Sequence, residues 1–167
     1  MARSYVPDAK ANEKMRELGF TVANVTPDHG IVRGVSALVA LSDEEANAVV
    51  LRPEVFQHVA FETGGGRGAG YPGSLMGVIA VVRQSFLDGD HYQTETEAYR
   101  RGASGRPRPA YNPGLEELAP ALAKKQRVLF EPRSALMVDR AARVAREMNL
   151  EVGFLSSGQE WRRPALA

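Results

Sequence analysis

Between Val128 and Leu155 the chain alternates in a way that leaves few folds open. Val128-Leu129-Phe130 is a short apolar run of strand type. A helix follows, with Ala135, Val138, Ala142, Ala145 and Met148 on one face and Arg140, Arg143 and Arg146 turned outward. Asn149 suits the end of that helix, and residues 152–155 read as a closing strand. Two strands joined by a crossover helix pair in parallel. This part of the chain therefore predicts an α/β fold built on a parallel sheet.

The front is different. Residues 8–18 predict a short helix with Ala9, Ala11, Met15 and Leu18 as its apolar positions and Gly19 as its stop. Residues 20–25 predict a buried strand, and Pro27 and Gly30 place residues 26–34 in a loop. Strands are expected over residues 36–41, 48–52 and 55–61, in an antiparallel hairpin or meander. A glycine-rich loop, residues 64–73, leads to Ser74, a good N-cap for a long helix with Leu75, Ile79, Val82 and Phe86 inward. Gly89 is expected to kink or end that helix, although residues 92–99 keep helical composition. Residues 102–113 read as a Pro/Gly connector and residues 114–125 as another helix. Neither an internal repeat nor a low-complexity tract is present.

With 167 residues, the chain has the length of one domain. A formal net charge of +1 gives no bulk attraction to nucleic acid or to an anionic membrane. Having no cysteine, it cannot use disulfides, thiolate zinc ligands or thiol catalysis. The opening residues lack an apolar core of signal-peptide length, and the longest apolar segment, residues 75–87, is broken by Gly77, Arg83 and Gln84. Trp161 to Ala167 stop where another helix can begin, which reads either as a chain cut within a larger fold or as a short tail.

Chemistry-bearing residues are sparse. Gly64-Gly65-Gly66-Arg67-Gly68-Ala69 fits the dinucleotide fingerprint formally, but Tyr71-Pro72-Gly73 intervene before the helix, so a plain loop is the better reading. Asp28 and His29 follow a strand, at the end where α/β proteins place their chemistry. His29 is open to three readings: general base, metal ligand or polar loop residue. His58 and His91 lack a ligand neighbour at useful spacing and read as structural. Arg100, Arg101, Arg106 and Arg108 sit among Pro and Gly and read as a solvated linker. Glu131 ends one strand, and Ser156-Ser157 follow the next. Together they can line a pocket, but Glu131 can equally pair with Arg127 or Arg133. Should a pocket form, Asp28 and His29 would orient or polarise a substrate, Arg33 would meet an anionic group, Glu131 would serve as ligand or base, and Ser157 would join Arg33 in binding substrate.

Several segments together resemble the amidohydrolase superfamily, most closely its imidazolonepropionase-like branch. They are Arg3-Ser4-Tyr5-Val6-Pro7-Asp8-Ala9-Lys10, Glu17-Leu18-Gly19-Phe20-Thr21, Pro27-Asp28-His29-Gly30-Ile31-Val32-Arg33-Gly34, Tyr71-Pro72-Gly73-Ser74-Leu75-Met76-Gly77 and Arg83-Gln84-Ser85-Phe86-Leu87-Asp88. Arg133-Ser134-Ala135 and Ser157-Gly158-Gln159-Glu160-Trp161 complete the set, in order along the chain. The resemblance implies a metal-dependent hydrolase of amide or cyclic-amide C–N bonds on a (β/α)₈ barrel, usually with zinc activating a water. Such a barrel takes about 250 residues. It implies that residues 1–167 are a single incomplete, TIM-barrel-like segment with a strand-rich, partly antiparallel N-terminal insertion.

The same resemblance places the family's His-x-His before Met1 and its aspartate after Ala167. Where two further histidines belong, this chain has Glu131 and either Ser156 or Ser157. No metal site and no cofactor are firmly implied by the residues present, although zinc serves the family. Two functions follow as expectations. One is a section of a C–N hydrolase that is catalytically incomplete alone and acts on a small molecule when complete. The other is a noncatalytic binding or assembly module on a degenerate scaffold. An incomplete barrel would also self-associate or pair with complementing barrel segments, and neither nucleic acid nor membrane is expected as a partner.

Overall fold

The computed structural model describes residues 2, 5–63, 71–102 and 105–162. The glycine-rich fingerprint, Gly64 to Ala69, lies outside the described residues, as do Arg3-Ser4 and residues 163–167.

Helix α1 (Ala9–Glu17) begins at Asp8, whose carboxylate accepts from the Ala11 amide at 3.1 Å. The expected apolar face is turned outward, and the buried residue is Asn12. Polar contacts dock this helix instead: Asn12 donates to the Ser42 carbonyl, and Arg16 donates to the Leu41 carbonyl and pairs with Asp43 at 3.0 Å.

Strands β1 (Val22–Val25), β3 (Ala37–Ala40) and β4 (Val50–Arg52) form an antiparallel sheet in the order β1-β3-β4. The expected strand over residues 48–52 is shorter than predicted, because Ala46–Val49 turns once as helix α2. The expected loop over residues 26–34 contains the start of another strand, β2 (Val32–Val35). Ser36 is fully buried between β2 and β3. Its backbone and hydroxyl hydrogen-bond to both backbone groups of Phe56, so one extended run serves two sheets.

The second sheet has the order β2-β5-β6-β7, with β5 (Phe56–Ala60), β6 (Arg127–Glu131) and β7 (Val152–Phe154). β2 runs antiparallel to β5, whereas β5-β6 and β6-β7 are parallel. The parallel pairing expected from the strand–helix–strand pattern is present. Helix α3 (Leu75–Arg101) is continuous through Gly89 and is capped by Ser74. The helix expected over residues 114–125 is two separate turns, α4 (Pro113–Glu116) and α5 (Ala119–Leu122), both packed on α3. Helix α6 (Ala135–Glu147) is the predicted amphipathic helix, with Ala141 and Val144 among its most buried residues.

Period-two alternation divides the second sheet into two faces. Val59 and Phe61 of the β5 segment, with Val128 and Phe130 of β6, join Val78, Val82 and Phe86 of α3 and Ala141 and Val144 of α6 in one apolar core. His58 and Glu131 alternate with those residues and therefore point to the other face. The mixed α/β character, with a partly antiparallel front and a parallel back, is thus directly visible.

Candidate functional site

The polar face of the second sheet gathers charge from three strands. Glu131, at the carboxyl end of β6, accepts from Arg33 of β2 through Oε2 at 2.8 Å and faces Nδ1 of His58 on β5 through Oε1 at 2.9 Å. Arg33 reaches Glu62, just beyond β5, at 2.7 Å with its other terminal nitrogen. Arg133 meets the same Glu62 from outside. Burial deepens along this series: the side chain of Arg133 is 75% exposed, that of Arg33 10% and that of His58 3%.

Parallel register explains the meeting. His58 stands opposite Leu129, and Ala60 opposite Glu131, so imidazole and carboxylate share a face one alternation apart. A bulge between Val32 and Gly34 interrupts the β2-β5 pairing at Arg33. Gly34 has φ +95, a conformation that suits glycine.

An ionised carboxylate on Nδ1 accepts that proton, fixes the ring's orientation and leaves Nε2 as the nitrogen without the proton. Nε2 is buried and has no hydrogen-bond partner among the described residues. A cleft of about 570 Å³, lined by Gly30, Ile31, Glu62, Tyr71, Pro72 and Ser85, touches the network at Glu62.

The expected site residues are distributed unevenly. Arg33 and Glu131 come together. Glu131 takes Arg33 and His58 as partners rather than Arg127 or Arg133, and Arg33 meets two protein carboxylates. Asp28 and His29 are 85% and 92% exposed and pair with each other at 3.4 Å, apart from the network. Ser157 is occupied within its own turn: its amide and hydroxyl donate to Glu160 at 2.7 and 2.8 Å, and the Ser156 hydroxyl donates to the second carboxylate oxygen at 2.9 Å. These bonds, led by that of the Ser157 amide and then its hydroxyl, lower the Glu160 pKa to about 2. His58 and Glu62 were not singled out as site residues by sequence reasoning. The alternation of Phe56, His58 and Ala60 against Val59 was the signal that places an imidazole on the polar face.

The donor set does not fit zinc. Such a site takes three or four protein donors. Among the described residues no three His, Asp or Glu side chains group closely enough to hold a metal. Glu131 has both oxygens engaged, one of them by a guanidinium.

No protein-family model matches the chain, and no curated protein matches it. Among solved structures it is similar to an amidohydrolase from Thermotoga maritima, with a TM-score of 0.78 and 18% sequence identity over 92% of this chain. The match spans 41% of that protein's length. At this identity the likeness concerns architecture: the chain shares its mixed α/β fold with part of an amidohydrolase.

Proposed function

We propose that the chain is a section of an amidohydrolase-like hydrolase acting on amide or cyclic-amide C–N bonds, of the imidazolonepropionase-like branch, and that it is catalytically incomplete alone. The observation that carries this reading is the fold likeness over 92% of the chain, within 41% of a known amidohydrolase. In this reading the parallel strands belong to a (β/α) barrel, and His58 with Glu131 stands near its carboxyl-end chemistry. Glu131 orients the ring of His58, whose Nε2 is buried, and the cleft at Glu62 receives a small molecule. Asp28 and His29, on the exposed loop before β2, contact substrate from outside, and Ser157 acts through the shape of its turn. Arg33 holds carboxylates of the protein itself rather than a substrate anion. Zinc, where the family uses it, supplies an activated water. The donors described here do not build that centre, so this chain's part is positional.

A second reading is favoured by the closed ion-pair network around Glu131: a noncatalytic binding or assembly module that keeps the scaffold. One assay separates the two. Hydrolysis of amide and cyclic-amide substrates is followed with zinc supplied, for the chain alone and for the chain joined by segments that complete its sheet. The expected result is no turnover alone and turnover on completion. Turnover by the chain alone overturns its incompleteness, and a completed assembly without turnover or bound zinc favours the noncatalytic module.

A further inference from the structure

The charges on the polar face form an unbranched series: Arg133 to Glu62, Glu62 to Arg33, Arg33 to Glu131, Glu131 to His58. Glu131 is the pivot, with one oxygen on a guanidinium and the other on an imidazole. A dication at this carboxylate would have to displace Arg33 or sit beside its positive charge in a largely buried place, where screening by water is weak. The neighbouring carboxylate, Glu62, is itself held by Arg33 and Arg133, and His58 turns Nδ1 rather than Nε2 toward Glu131. The same geometry is well suited to a different task. A carboxylate facing Nδ1 decides which ring nitrogen carries the proton, and Arg33 holds that carboxylate in place. The three side chains also tie β2, β5 and β6 together across the sheet.

We infer that Glu131, held by Arg33, is a positioning residue for His58 and an anchor between three strands, and that it is not a metal ligand in this chain. The inference stands on the geometry alone and does not need the hydrolase reading.

The test is long-range ¹H–¹⁵N imidazole spectroscopy of the full 167-residue chain at pH 8. His29 and His91 are exposed, so replacing each with Gln assigns the remaining ring to His58. The expected spectrum shows the proton on Nδ1 and a bare Nε2. Glu131→Ala is expected to move the proton to Nε2, the form a free side chain prefers. Glu131→Gln retains an acceptor oxygen and is expected to keep the proton on Nδ1. A merely structural Glu131 would lower the melting temperature without moving the proton. Equimolar zinc is expected to leave both ring nitrogens unshifted in the wild type. A wild-type Nε2–H form, or a zinc-induced shift that disappears in Glu131→Gln, would overturn the inference. Should Glu131→Ala not fold, the wild-type tautomer and the zinc titration decide the matter.

Discussion

Arg33 stands between Glu131 and Glu62 with a tenth of its side chain exposed. Replacing it with Met keeps much of the volume but leaves two carboxylates near each other without their shared cation. Removing one partner of a buried pair costs about 3–5 kcal/mol, because the other charge stays desolvated. Arg33→Met is therefore expected to lose that much in urea denaturation. Arg133→Ala is expected to lose less than about 1 kcal/mol, since Arg133 meets Glu62 from the solvent side. Glu160 gives the pH prediction. Its folded pKa lies below the ordinary 4.5, at about 2. The charged form is thus favoured by the fold, its contribution is complete above 4.5, and it is lost as pH falls through about 2. Ser157→Ala removes the hydroxyl donor but not the amide, so the Glu160 carboxyl carbon should titrate at a higher pH by ¹³C NMR while staying below 4.5. At this scale the sequence was only partly legible. Glu131 is recognisable as a polar strand end, but its partners come from positions 33 and 58, and no local spacing encodes a contact made across three strands. Ser157 is recognisable as a hydroxyl after a strand. That Glu160, three residues on, would occupy it is a turn preference that competes with any pocket.

Helix α3 shows why glycines inside helices need their neighbours to be understood. A Cβ on Gly77 would come within 2.8 Å of the Pro72 Cβ, a ring that is buried and cannot rotate away. Alanine gains up to about 1 kcal/mol over glycine in a helix, yet overpacking costs about 1–3 kcal/mol. Gly77→Ala is therefore expected to be a net loss, seen as a lower melting temperature in calorimetry. Gly89 looks like a breaker in the sequence. In the fold it stays helical and lets Leu118 and Leu122 approach, with a hypothetical Cβ only 3.1 Å from the nearer leucine. Tertiary packing overrides propensity there. The opposite failure occurs in α1, where the apolar positions face solvent and Asn12 and Arg16 make the contacts. Strand β2 was hidden for a third reason: Gly34 and the bulge beside it break the alternation that announces a strand. Helix α6 and the parallel pair β6-β7 were legible, because apolar period and strand length agree with the packing they meet.

At the scale of the molecule, the second sheet raises a question of closure. β7 ends the order β2-β5-β6-β7 and pairs with β6 on one side. An edge strand offers unpaired backbone groups to any extended segment that arrives. Beside it Leu155 is 55% exposed, and Phe154 and Trp161 also present apolar surface. Leu155 itself donates its amide to the Phe130 carbonyl, so the strand's direction is set beyond its last residue. Edge and apolar surface together favour a strand from a second copy or from a complementing segment. We expect light scattering of the 167-residue chain to show an average mass that rises above 18.2 kDa with concentration. Leu155→Lys should return it toward the monomer, because a charge at an exposed edge opposes pairing and leaves the β6-β7 hydrogen bonds untouched. Urea denaturation should place that variant within about 0.5 kcal/mol of the wild type when both are monomeric, as for other exposed substitutions. A wild-type chain that stays a single 18.2 kDa species over a wide concentration range would show that the edge is already protected. In that case the exposed side chains at β7 would have to be explained by solvation rather than by a partner.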